Sequence, residues 1–291
     1  MTPRHTPYDG SSKLFQIGLK PLDAHDWIDA DVHLLTYLDA KDQVMNRAPH
    51  EVFVAEAGTE AAQGEVLHLL ADHLPQRFPD TYHRFGPQID IVPAFRRVRM
   101  DAPFLPPLLI AAGLVQEDLV LMRKGDDGWR LSAGCVCFAS SWSLPEKFGK
   151  ALEVIHGPVP GFSAGTRNAT IMDRIFDNLT PDQPVVRWNW SVYGNDELHH
   201  PHISPPHRFD DGIYLRLERQ TLRKLPVSGD ILFTVRIYID PLEALNRRED
   251  GAELAQAIAA QIEALSPEEL DYKGLTVEKD RLLKRLGEIA G

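Results

Sequence analysis

Five strand-like segments, interrupted once by helices, constrain this 291-residue chain more than any other feature. DLVLMRKGDDGWRLSAGCVCFAS sets two apolar runs on either side of a turn containing Gly125, Asp126, Asp127 and Gly128, the pattern of a β-hairpin. SLPEKFGKALEVIH then predicts one short helix, with Ser143 as N-cap, Pro145 in the first turn and Glu146 three residues after the serine. NATIMDRIFDNL predicts an amphipathic helix in which Ile171, Ile175 and Leu179 recur at four-residue spacing. VVRWNWSVYG, GIYLRLERQTLRKL and GDILFTVRIYIDPL complete the set as strands, the last two joined by a turn from Pro226 to Gly229. The expected class is α+β: one antiparallel five-stranded sheet, helices over one face, and a ligand pocket between the two layers.

Helical additions are expected at both ends of that core. LDAHDWIDADVHLLTYLDAKDQVMN and AAQGEVLHLLADHLPQRF read as helices, the second with Val66, Leu67, Leu69, Leu70 and Leu74 on one apolar face. PAFRRVRMDAPFLPPLLIAAGLV reads as a connection and a short helix, and the region after Glu249 as two charged helices with narrow apolar stripes. The chain therefore divides into an N-terminal helical extension (1–118), a core (119–245) and a C-terminal helical tail (246–291).

Charge and motifs exclude several function classes. A formal net charge of −11 opposes broad attraction to nucleic acid or anionic lipid. No apolar run is long enough for a membrane span, and the first residues lack the apolar stretch of a secretory signal, so a cytoplasmic protein is expected. No GxGxxG, Walker-type loop, nucleophile elbow or HExxH motif is present. Cys135 and Cys137 stand two apart on a strand, share a face and read as reduced core residues, with thiolate ligation of haem as the alternative.

His156 is the candidate metal ligand. Gly157, Pro158, Pro160 and Gly161 follow it at once, so the imidazole is carried on a stiff piece of backbone beside an apolar helix. The competing reading is a histidine that only hydrogen-bonds the turn. On the RWNW strand, alternation puts Arg187 and Asn189 on one face and Trp188 and Trp190 on the other. The next strand puts Arg216, Glu218 and Gln220 on one face and Leu215, Leu217 and Arg219 on the other, with an Arg216–Glu218 surface pair as the plain alternative. HHPHISPPH supplies His199, His200, His202 and His207 within one proline-rich loop, but no recognised zinc spacing completes it, and a histidine lining the entrance to the pocket is the better expectation.

The run from Trp142 through IHGPVPGF, with RWNW at 187–190, RLERQTLRKLP and GDILFTVRIYIDPL, resembles the haem-dependent oxidative N-demethylase family over about residues 10–245. That resemblance implies a haem-binding PAS-like core, and a reaction in which oxygen is used to remove a methyl group from a small secondary amine such as dimethylamine. It further implies haem b, a separate flavin and iron–sulfur reductase, and a folate-binding component. On this view His156 holds the iron, Arg187 and Asn189 polarise bound oxygen, Glu218 receives the substrate ammonium, and Arg216 or Arg219 holds a haem propionate. Two cysteines cannot supply the four ligands of an iron–sulfur cluster, so electrons are expected from a partner. A haem-based gas or redox sensor without turnover, and a haem-free binder of another small ligand, are the alternatives.

Overall fold

The computed structural model describes residues 2–201, 208–210 and 212–291. In chain order the strands are β1 (Lys20–Pro21), β2 (Phe53–Ala55), β3 (Tyr82–Phe85), β4 (Gln88–Ile91), β5 (Arg96–Arg99), β6 (Asp118–Gly125), β7 (Gly128–Cys135), β8 (Val185–Tyr193), β9 (Tyr214–Lys224) and β10 (Ile231–Pro241). The helices are α1 (Leu34–Arg47), α2 (Pro49–Val52), α3 (Glu60–Arg77), α4 (Pro107–Ala112), α5 (Leu144–Lys147), α6 (Leu152–His156), α7 (Arg167–Asn178), α8 (Gly251–Glu263), α9 (Pro267–Tyr272) and α10 (Lys279–Ala290).

The five expected strands form the contiguous centre of a larger sheet than the sequence suggests. Its order is β1-β8-β9-β10-β6-β7-β2, with every pairing antiparallel. The two added edge strands come from the N-terminal region and are two and three residues long, too short to announce themselves by alternation. A second, three-stranded sheet, β3-β4-β5, follows α3, and only its last strand falls in the segment read as a connection. The hairpin closes as its turn chemistry requires: Gly125 pairs with Gly128 across a two-residue loop, and Gly128 adopts φ +96°.

Helices pack on both faces, not one. Leu119, Leu121, Ala133, Cys135 and Leu232 turn to the face covered by α1, α3 and α4. Trp190, Val192, Leu215 and Leu217, from β8 and β9, bury themselves on that same face against α8 and α10. Each such side chain withdrawn from water is worth about 1.5–3 kcal/mol. The other face is shared. Val120, Met122, Leu222 and Ile231 meet α5, α6 and α7 there, and the side chains of β8, β9 and β10 beyond them are only partly covered.

Two helix expectations are corrected. The predicted helix from Ser143 to His156 is two pieces, because Gly149 takes φ +72° between α5 and α6. Ser143 makes no side-chain cap bond, so its capping-box pattern is unused. The tail carries three helices, and the capping box formed there belongs to Ser266 and Glu269 at the start of α9.

Candidate active site

Alternate side chains of β8, β9 and β10 rise from the sheet face that α5–α7 cover only in part. Asn189, Glu218 and Ile237 lie opposite one another across three strands, and Arg187, Gln220 and Val235 form the next row. Val185, Leu222 and Phe233 form the row after that. Val185, Arg187, Asn189, Glu218, Gln220, Phe233 and Val235 are all partly exposed, whereas Trp190, Leu217, Arg219 and Thr221 on the reverse face are buried. The middle of the sheet is therefore a trough with a polar end and an apolar end.

His156 closes α6 beside the apolar end. Its Nδ1–H donates to the carbonyl oxygen of Leu152 over 2.9 Å, which fixes the tautomer and leaves Nε2 with an unshared electron pair. Phe162 lies 6.4 Å from the imidazole, centroid to centroid. Burial pushes the imidazole's proton affinity down, and the charges of Arg187 and Lys147 push it further in the same direction, against the Leu152 hydrogen bond. The ring is thus neutral at pH 7, the form that can ligate iron. Lys147 also donates to the carbonyl of Ile155, tying α5 to the end of α6.

The polar end is a connected chain of hydrogen bonds. Asn189 Nδ2 donates to Glu218 Oε2 over 3.2 Å, and Gln220 Nε2 donates to the same oxygen over 2.7 Å. Lys273 Nζ donates to Asn189 Oδ1 (3.2 Å), the Trp190 carbonyl oxygen (2.6 Å) and Ser191 Oγ (3.2 Å). Burial pushes the lysine down to about 8; Glu218 resists the shift and Arg187 adds to it. Arg187 behaves differently: among the described residues it donates no hydrogen bond, and its Nε is buried without a partner. Burial lowers its affinity for a proton, with Glu218 and Tyr272 opposing.

The structure brings His156, Arg187, Asn189 and Glu218 to one face, a juxtaposition that strand alternation alone leaves open, but it does not bring Arg216 and Arg219 there as free donors. Arg219 lies on the reverse face, where its guanidinium is occupied by the carbonyl oxygens of Asp26 and Trp27. Arg216 is fully buried and donates to the carbonyl oxygens of Phe138, Glu197 and Leu198, with Tyr193 stacked 5.5 Å from its carbon. It forms no ion pair with Glu218 among the described residues. Cys135 and Cys137 are free and buried in the core cluster that α1 and α3 cover, and hydrogen bonding with Cys135, along with burial, raises the Cys137 thiol far above its usual range.

In the histidine-rich loop, His199 donates to the Cys137 carbonyl and His200 stacks on Tyr193, while His202 and His207 lie outside the described residues. Among the described residues no three His, Cys, Asp or Glu side chains converge as they would around a metal ion.

Sequence reasoning misses Lys273 and its neighbour Tyr272. Tyr272 sits edge-on to Phe15 at 5.7 Å, and its phenol feels the charge of Glu218. The residues SPEELDYKG announce a helix start at Ser266, but their spacing gives no hint that the helix's end crosses the edge of β8. The path of the tail alone delivers that ammonium.

A family model described as haem-dependent oxidative N-demethylase, alpha subunit-like, matches residues 18–283. The match takes in β1 through α9 and the start of α10, and the chain belongs to the haem-dependent oxidative N-demethylase alpha subunit-like family.

Proposed function

We propose that this protein is the haem-carrying subunit of an oxidative N-demethylase acting on a small secondary amine, with a PAS-like core formed by β6–β10. The observation that carries the reading is His156: a neutral imidazole held by Leu152 through Nδ1, with Nε2 free, beside a sheet trough whose apolar end is lined by Val185, Leu222 and Phe233. These residues fit a haem, which needs one imidazole nitrogen and a flat apolar bed. Haem, when bound, supplies an iron centre for oxidation chemistry with oxygen.

The remaining work falls to side chains of this chain. Glu218 uses Oε2 to accept from Asn189 and Gln220, which leaves Oε1 to accept from a substrate ammonium and, once that nitrogen gives up a proton, to hold it. Asn189 is held by Lys273 with its amide nitrogen toward Glu218, so the carboxylate is aimed before any amine arrives. Val235 and Phe233 exclude water from the side of the trough nearest β6. Electrons come from a separate flavin and iron–sulfur reductase, with a folate-binding component to take up the released one-carbon unit.

The test is an ultraviolet–visible spectrum of protein produced with ample haem, before and after dithionite and carbon monoxide, for the wild type and His156→Ala. A Soret band that moves on reduction and is lost or altered in the variant supports the reading. Absence of a Soret band at every loading removes it.

A further inference from the structure

Arg187 is the anomaly of the trough. Arg187 is partly exposed, yet its Nε is buried, whereas Arg216 and Arg219, the arginines of the neighbouring strand, spend their donors on carbonyl oxygens. Arg187 donates to nothing among the described residues, and its Nε is buried. Gln220, the residue directly opposite it, points its amide to Glu218 instead.

The local charge is also unbalanced. Arg187 and Lys273 bring two positive charges against the single carboxylate of Glu218, and Lys273 already spends its three donors on Asn189, Trp190 and Ser191. A simple dialkylammonium would pair with Glu218 but add a third positive charge and leave Arg187 without a partner.

We infer that Arg187 is a carboxylate receptor, and that the amine taken at this face is a zwitterion: an N-methylated amino acid whose ammonium meets Glu218 and whose carboxylate meets Arg187. The two side chains are diagonal neighbours on adjacent strands, with backbones on the order of 7–8 Å apart, so that their charged ends can converge on the ammonium and the carboxylate that one α-carbon carries. The inference rests on the reading of this face as an amine site and names its substrate class. A haem propionate is the other source of the same chemistry.

The experiment separates the two sources. N-methylglycine, dimethylammonium chloride and sodium propionate are titrated calorimetrically into haem-loaded and haem-free protein at pH 7, for the wild type, Arg187→Met and Arg187→Lys. The wild type is expected to bind N-methylglycine on the order of tenfold or more tighter than dimethylammonium, the return on one charge-assisted pair. Arg187→Met should abolish that preference while keeping haem, and Arg187→Lys should retain part of it, which decides the matter if the methionine variant melts early.

The inference is overturned if dimethylammonium binds as tightly as N-methylglycine, or if N-methylglycine does not bind. It is equally overturned if Arg187→Met loses haem but keeps the preference, which would give the guanidinium to a propionate. A missing Soret band would instead remove the haem reading, and the preference measured on haem-free protein would still judge the carboxylate receptor.

Discussion

The ammonium of Lys273 determines which way the Asn189 amide faces. By taking Oδ1 at 3.2 Å it leaves Nδ2 directed at Glu218, so a residue from the tail sets the state of a carboxylate in the middle of the sheet. An amide flip would turn a lone pair toward that carboxylate and remove the bond.

Lys273 should therefore be visible in the pH dependence of stability. Its native-state value near 8 lies below the ordinary 10.5 of a lysine in the unfolded chain. Between those values the unfolded state binds more protons, so stability rises as pH increases from 8 toward 10.5, by about 3 kcal/mol in full. Urea unfolding across pH 7–10.5 should show this rise in the wild type and a flattened one in Lys273→Met. An equal rise in both would assign the effect to another group.

Acid should release haem from this protein only below the ordinary histidine range. Burial holds the His156 imidazole in its neutral form at pH values where a free histidine begins to protonate, so Nε2 stays available. Following the Soret band during acid titration should give a midpoint below about 6.5. Loss of haem above that value would place the iron on a different ligand.

Glu218→Gln should weaken ammonium binding by at least about tenfold while barely changing the melting temperature. The glutamine can still accept from Asn189 and Gln220, but it offers no charge to the substrate. Calorimetric titration with dimethylammonium checks the first half and a thermal melt the second. Unchanged affinity would show that the ammonium is held elsewhere.

Arg216→Met should destabilise the fold by about 3 kcal/mol or more, because three carbonyl oxygens, of Phe138, Glu197 and Leu198, lose their donor at once in a buried setting. Chemical denaturation measures the loss. Retained stability together with lost haem would return Arg216 to the propionate role that its sequence position suggests.

The sequence discloses the strand centre of this molecule well, for a definite reason. β6 to β10 are eight to eleven residues long, so alternation has room to repeat and the turn residues between them are chemically distinctive. Alternation pairs Arg187 with Asn189 on one strand and Glu218 with Gln220 on the next, but only the strand register brings the two pairs to one face.

What stayed hidden depends on tertiary path. β1 and β2 are edge strands of two and three residues whose existence depends on the partner they meet. Arg216 and Arg219 look like ligand-holding cations in a list of residues, and only the carbonyls around them show that their donors are already taken. Lys273 was invisible because its role is fixed by where α9 ends in space, not by what surrounds it in the chain.

That placement carries a consequence for how the molecule is made. The lysine that sets the Asn189 amide follows β10 by a long interval, after a 3-10 turn (Leu242–Arg247), α8 and α9 have been laid down. As the chain emerges from the ribosome, the sheet can pair before the strap across β8 exists. Until α9 docks, the pocket is open at its edge with its carboxylate unaimed, so a cofactor or substrate that needs the finished geometry is admitted only after that helix is in place.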